Sequence, residues 1–390
     1  MTPGSHAFLR TDRSRLSVWW WTTDHWLLGA TLARIALGVI LQFGTSPAAA
    51  ARMGIAWPYH FAVRQCLFAA GGTVLLLGAS MLSPRGVRRA AFFVYLIAIG
   101  AMFVLPFSGH AAKGATRWVE ISGFTLQPSE FMKPALIVLI AWMFAEGQKN
   151  ERVPGVYIAV GLYALAVGLL LMEPDIGQTV LITAVFGACF WMAGVPMIWV
   201  VVLGGAALVG LCSTYFLFEH VATRVHGFLG HDKADASQQL HRAGEAIAAG
   251  GAWGRGPGEG VMKLQIPDMH TDFAYSAAAE EYGLWLSLIL IALFAGIVIR
   301  GLYKAMKLSD PFEQVAAAGL FVLVGCQAFI NIAVNLALVP TKGMTLPFIS
   351  YGGSSTLAMG LTLGMAVCLT RRRPGAYATP VSLARAGAFA

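Results

Sequence analysis

Charge is what this sequence has least of. Asp, Glu, Lys and Arg make up 12% of its 390 residues, about half of the roughly 25% carried by soluble domains. That shortage excludes a soluble enzyme, and the 57% of hydrophobic residues excludes a disordered chain. Cysteine is scarce too. Cys66, Cys189, Cys212, Cys326 and Cys368 each lie inside an apolar run without metal-ligand spacing. This excludes a disulfide scaffold and reads all five as small buried apolar residues. Acidic residues are outnumbered, 19 against 27 basic, for a net charge of +8. The basic residues sit in short clusters between apolar runs, without the continuous face that a nucleic-acid surface requires.

What abounds is apolar sequence, with a mean hydropathy of +0.67. A helix needs about 20 apolar residues to cross a hydrocarbon core of about 30 Å. Ten runs qualify: 26–43, 61–82, 90–107, 127–145, 155–172, 176–193, 197–218, 273–299, 315–338 and 351–370. They are apolar all round and lack the alternation of barrel strands. The expected fold is therefore an all-α polytopic membrane protein of ten transmembrane helices. With the N-terminus inside, fifteen lysines and arginines fall in the short inner segments and four in the short outer loops. This bias puts both termini in the cytoplasm, with 1–25 and 371–390 as tails. Ala48-Ala49-Ala50 resembles a cleavage site, but the preceding apolar region is long and nine spans follow, so the first run reads as an uncleaved anchor.

One outer connection is out of proportion. Residues 219–272, between the seventh and eighth spans, form a large extracytoplasmic loop with a helical pattern at 237–249 and a glycine-dense run at 250–260. Long loops of mixed aromatic, glycine and charged content are commonly functional. The glycine run follows no strand of a βαβ unit and faces outward, which argues against a nucleotide loop. A lid or close backbone packing is expected.

Charges at membrane depth are costly and point to function. Glu130 and Lys133 follow Gln127-Pro128-Ser129 at the outer end of the fourth span, and share a helix face. Pro128 suits a first helical turn, with Ser129 as the candidate cap. The pair is either self-neutralising or one wall of an outward-facing cavity, and the nearby Arg117 and Trp118 favour the cavity. In Glu173-Pro174-Asp175-Ile176-Gly177, Asp175 reads as a helix cap. In Pro267-Asp268-Met269-His270-Thr271-Asp272-Phe273, the eighth helix must start before Leu284, because 284–299 spans only about 24 Å. Asp272 then lies at its outer N-terminus, as an ordinary cap or as a working carboxylate, and Glu280 or Glu281 must face protein or water. Residues 340–355, broken by glycine and proline, form an irregular entry to the last span, of the kind tolerated only where it lines a cavity or is buried.

Together these stretches resemble the SEDS family (shape, elongation, division and sporulation) of polytopic peptidoglycan polymerases. The resemblance covers nearly the whole chain after residue 26. It is carried by Arg117-Trp118, Gln127-Pro128-Ser129-Glu130 with Lys133, the Pro174-Asp175-x-Gly177 turn, Lys263 with His270-Thr271-Asp272-Phe273, and Ser350-Tyr351-Gly352-Gly353-Ser354-Ser355. Thr341-Lys342-Gly343-Met344-Thr345-Leu346-Pro347 is more similar to the family's division member than to its elongation member. Glu173 and Asp268 stand where the family often has Gln and Glu.

The resemblance implies an inverting glycosyltransferase of the inner membrane, working at the division septum. The growing glycan on undecaprenyl diphosphate would be the donor and lipid II the acceptor. Asp272 would be the catalytic base. Arg64, Arg117, Lys133, Lys263 and Lys342 would meet diphosphate, and Trp118, Glu130, His270 and Ser354 would complete the substrate site. A class B penicillin-binding protein and other divisome proteins are the implied partners, with no nucleic acid. No cofactor is required by the residues. One carboxylate among scattered acids is too few to define a site for a hard cation, although a magnesium or manganese ion bridging Asp272 and diphosphate remains compatible. A lipid II flippase and a non-catalytic divisome scaffold are the alternative readings.

Overall fold

The computed structural model describes residues 14–105, 117–121, 124–217, 222–223, 226, 235–340 and 343–373. Its helices are α1 (Arg15–Thr22), α2 (His25–Arg52), α3 (His60–Ser80), α4 (Pro84–Val104), α5 (Pro128–Lys149), α6 (Gly155–Met172), α7 (Ile176–Met192), α8 (Met197–Leu217), α9 (Asp235–Gly250), α10 (Ala274–Ala305), α11 (Pro311–Asn335) and α12 (Gly353–Leu369). Between α4 and α5 a small antiparallel hairpin pairs β1 (Val119–Ile121) with β2 (Phe124–Leu126), Val119 opposite Leu126. Every expected span falls on a helix. Seven of them, α2 to α6, α10 and α11, are long and apolar enough to cross a membrane, and α7 and α12 are shorter apolar helices.

The helix starts follow local chemistry. Asp24 accepts from Leu27 N, Ser83 from Gly86 N, Asp175 from Gln178 N, and Asp310 from Phe312 and Glu313 N. Pro84, Pro128 and Pro311 occupy first turns, where their missing N–H costs nothing. Several sequence expectations are corrected here. Gln127, not Ser129, precedes α5 as its cap residue, and Ser129 is buried inside the first turn. Residues 15–22, expected as tail, form α1, because Ser14 caps it and Trp19 Nε1 donates to Ser80 Oγ at 2.9 Å. Only Cys189 and Cys368 are buried, while Cys212 is exposed on α8.

The core centres on α5, buried almost all round and packed by α4, α6, α7, α11 and α12. Helix α3 packs closely along α12. A Cβ at Gly360 would lie 2.2 Å from Gly72 O, and one at Gly364 2.6 Å from Leu76 O. This small-residue spacing lets backbones meet in a setting where lipid offers no hydrophobic drive to association. On α2, Gly38 admits the carbonyl of Phe348. One turn away the fully buried Arg34 guanidinium sits between the rings of Phe294 (4.5 Å) and Phe348 (5.0 Å). Its nitrogens have no hydrogen-bond partner among the described residues.

At the basic end of the bundle, Asp24 pairs with Arg300 and Lys304. Burial raises its carboxyl, but the two cations and the Leu27 N–H overcome this and hold it at about 2. Arg371 and the Arg372 N–H bind Thr22, tying the end of the described chain to its start.

α10 is broken at Gly283 (φ 76°, ψ −169°). The break frees the carbonyls of Glu280 and Glu281, and the glycine run takes them up. Arg255 N donates to Glu280 O at 3.0 Å, Gly256 N to Glu281 O at 2.9 Å, and Leu284 N turns to Gly251 O at 2.9 Å. A Cβ on Gly283 would stand 2.4 Å from Gly254 N, and one on Gly250 2.0 Å from Ala279 O. The glycines are there for backbone packing, the second of the two expectations. The segment after the break is about 33 Å long, a full crossing. The segment before it belongs to the layer built by 235–273.

Candidate active site

At the end of the bundle opposite Asp24, three polar clusters meet around the start of α10 and the irregular segment 343–352.

The first fixes the loop before α10. Glu280 Oε1 accepts from Val261 N and Met262 N, both at 2.7 Å, and Oε2 from Lys263 N at 2.9 Å. One carboxylate thus serves the start of a short 3-10 turn, Met262–Gln265. Lys263 Nζ pairs with Glu281 and donates to Gly44 O at 3.2 Å and Gly258 O at 2.9 Å. All three of its protons are used inside the protein, so Lys263, expected to meet diphosphate, instead rivets the loop to α2 and α10.

The second lies between α5, α7 and α11. Lys133 has no exposed surface. Its Nζ donates to Glu130 Oε1 at 2.9 Å, Gln178 Oε1 at 2.8 Å and Gln327 Oε1 at 3.1 Å. Gln178 Nε2 returns to Glu130 Oε1, and Gln327 Nε2 reaches Thr345 O. The shared face expected of Glu130 and Lys133 is present, but it points into the bundle rather than into an open cavity. Above it, Arg117 donates to the carbonyls of Glu173 and Pro174 and lies 3.8 Å from Asp175 Oδ2. Ser354 Oγ accepts from Gln127 N and donates to Thr125 O. Both residues pin the hairpin and the α5 start. Trp118 beside them is exposed. Glu173 itself is enclosed, and burial together with the Asp175 charge, against the pull of Arg117, pushes its carboxyl up to about 8.

The third holds Asp272. Asp268, in the left-handed region (φ 55°), accepts from Thr271 N and Asp272 N and closes a turn. The cap residue of α10 is Phe273, which supplies no side-chain hydrogen bond. Asp272 is therefore not the α10 N-cap, and stands half-buried just before the helix. Its backbone oxygen accepts from Asn331 and Asn335 of α11, and a Cβ on Gly343 would be 3.8 Å from its Oδ2. The neighbouring His270 is buried against Phe61 (4.7 Å between centroids) and Tyr351 (5.6 Å). Its carbonyl accepts from Gln42 Nε2 and Tyr351 N. Arg64 hydrogen-bonds the Tyr351 hydroxyl. The structure thus brings Asp272, His270 and Arg64 to one end, joined through Tyr351 and 343–352. Lys342 lies outside the described residues.

A cavity of about 220 Å³ opens beside this loop, lined by Arg52, Met53, Lys263, Asp268 and His270 among others. Among the described residues no group of three or more His, Cys, Asp or Glu is placed to hold a metal ion. Gln42, Gln178, Gln327, Asn331 and Asn335 were missed in the sequence. Their signal was present, as lone amides inside apolar runs, three of them four residues apart.

The model of the FtsW, RodA and SpoVE cell cycle proteins matches residues 25–374. A probable peptidoglycan glycosyltransferase FtsW of Caulobacter vibrioides is 70% identical over 96% of this chain and 95% of its own. One from Trichlorobacter lovleyi is 34% identical over 88% and 93%. Among solved structures, a chain of a peptidoglycan synthase complex that coordinates polymerization and crosslinking is similar with a TM-score of 0.73 and 25% identity, over 89% of this chain and 97% of that one. Thermus thermophilus RodA shares the fold, with a TM-score of 0.67 at 24% identity over 91% and 99%.

Proposed function

Since the chain belongs to the FtsW, RodA and SpoVE family of cell cycle proteins and is a multi-pass membrane protein, we propose that it is a peptidoglycan glycosyltransferase. It polymerises lipid II into β-1,4 glycan for the cell wall of the division septum. The 4-hydroxyl of the acceptor GlcNAc attacks C1 of the donor MurNAc. The C–O bond to undecaprenyl diphosphate breaks, and the α-linked donor becomes a β-linked product. A single displacement needs a base on the hydroxyl and positive charge on the leaving diphosphate.

Asp272 is the base in this reading. The observation that carries it is the placing of this carboxylate. It stands half-buried immediately before the α10 cap residue, while its main chain is held from α11. Arg64 and Lys342 are assigned to diphosphate, with Trp118 and His270 as aromatic walls. Glu130, Lys133, Lys263, Arg117 and Ser354 support the site by fixing its walls, given the partners they already hold. A magnesium or manganese ion carried on the diphosphate would share its charge beside Asp272, a requirement that chelation in the assay reads directly. Both termini lie in the cytoplasm of the inner-membrane protein, the site faces outward, and a class B penicillin-binding protein crosslinks the product within the divisome.

The test is glycan formation from lipid II by purified wild type and Asp272→Asn at matched protein levels, read before crosslinking. Asn has about the same capping ability as Asp but cannot take the proton, so polymer should be lost. Near-wild-type polymer from Asp272→Asn removes the base assignment. A wild type that moves lipid II across vesicles without making polymer would favour the flippase.

A further inference from the structure

Gln327, Asn331 and Asn335 project from one face of α11 at four-residue intervals, and all are buried. Gln327 belongs to the Lys133 cluster. The other two close on the start of α10. Asn331 Nδ2 donates to Asp272 O at 3.0 Å and to Met344 O at 2.6 Å. Asn335 Nδ2 donates to the same Asp272 oxygen at 3.0 Å and to Asn331 O at 2.9 Å. Its Oδ1 accepts from Ser276 N at 3.0 Å and Ser276 Oγ at 2.7 Å. Neither amide can be reversed, because backbone carbonyls only accept and the NH2 group must face them.

Ser276 is the third residue of α10, and its N–H has no partner within the helix. Phe273 offers no side chain to it. Asn335 therefore caps α10 from a neighbouring helix, and its amino group grips the carbonyl of the residue that precedes the cap. Asn331 joins that same carbonyl to Met344 in the irregular segment. The two amides set the Asp272 peptide plane against both α11 and the wall that faces it.

We propose that Asn331 and Asn335 are positioning residues for polymerisation, fixing the Asp272 main chain so that its carboxylate meets the acceptor hydroxyl at one distance and angle. The inference rests on Asp272 being the base. Displacing a reacting group by about 1 Å can cost about 100-fold in rate, and loss of an amino donor frees the peptide plane for a shift of that size.

Asn335→Asp separates positioning from capping. It keeps the size and the Oδ1 acceptor for Ser276, and Asp caps about as well as Asn, but it cannot donate to Asp272 O. The full chain with its class B penicillin-binding protein partner is assayed with lipid II. The expected result is a kcat per folded protein lower by about 10- to 100-fold, with KM for lipid II unchanged and no further loss when Asn335→Asp is added to Asp272→Asn; the new oxygen facing two carbonyls lowers the melting midpoint. Wild-type kcat in Asn335→Asp, beside an inactive Asp272→Asn, overturns the inference alone. A kcat that falls only in step with folded protein also overturns it, leaving a structural cap. Full activity in Asp272→Asn overturns instead the assignment on which it rests. Should Asn335→Asp fail to accumulate, Asn331→Ser, which leaves the Ser276 cap untouched, is held to the same criteria.

Discussion

Replacing Lys133 by Met tests whether this lysine serves the fold or the substrate. Its side chain has no exposed surface, and each ammonium proton meets one oxygen, on Glu130, Gln178 and Gln327. Met fills nearly the same volume and removes the charge. Glu130 is then left buried, its Oε1 holding only Gln178 Nε2 and its Oε2 without a partner. Gln178 and Gln327 each lose a donor at the same time. Breaking one side of a buried pair typically costs about 3–5 kcal/mol, whereas replacing both partners by apolar groups is often close to neutral. Lys133→Met should therefore unfold at markedly lower denaturant in detergent micelles. Adding Glu130→Leu should recover most of that loss, a coupling read from the double-mutant cycle. A Lys133→Met protein as stable as wild type but unable to polymerise lipid II would refute the reasoning and return the lysine to the substrate.

Two further outcomes follow from the fold and the outer turn. Glu173 has a folded-state value near 8 against 4.5 in the unfolded chain, because burial and Asp175 disfavour its charge more than Arg117 favours it. The stability it supports is complete below about 4.5 and is lost as pH rises through about 8. Glu173→Gln should remove that part of the decline, leaving the midpoint near wild type at pH 5 and above it at pH 9; identical pH profiles would refute the enclosed, protonated carboxyl. Gly283→Ala should cost several-fold in folded protein accumulated in the membrane, since its φ of 76° is strained for any other residue and the new methyl would meet Gly254 N at 2.4 Å. Normal accumulation would mean that the glycine run is not docked there.

Apolar run length made the helices legible, and Pro128 and Asp175 marked two of their starts. Polar residues inside the bundle were harder to read. Arg34 and Gln42 lie in the first run, Gln178 in the sixth, and Gln327, Asn331 and Asn335 in the ninth. Single-chain hydropathy averages each of them away. The roles of Gln42, Gln327, Asn331 and Asn335 come in large part from backbone carbonyls on distant segments, Ile349, His270, Thr345, Met344 and Asp272, which no side-chain pattern announces. The break at Gly283 was hidden for a similar reason. Its cause is the glycine run some thirty residues earlier, and only in three dimensions do the freed carbonyls find their donors. The fate of Glu280 and Glu281 was legible halfway: at least one had to face protein or water, but only the fold gives them Val261–Lys263 and Lys263 Nζ.

The distribution of spare protons narrows where diphosphate can bind. Five cations near the outer boundary were expected to meet it from the family resemblance. A lysine whose three protons already reach buried oxygens must break those bonds to reach a phosphate, leaving desolvated acceptors at a cost of about 1–3 kcal/mol each. Lys133 and Lys263 are both in that state, and Arg117 has turned its Nε and one Nη to the carbonyls of 173 and 174. Arg64 hydrogen-bonds the Tyr351 hydroxyl. Arg52, at the end of α2, is different: its side chain is exposed on the cavity that His270 and Asp268 also line. Exposed positive charge beside the His270 loop is thus carried by Arg52. On the proposal that Asp272 is the base, base and cation are carried by adjoining elements, since Asp272 follows His270 by two residues.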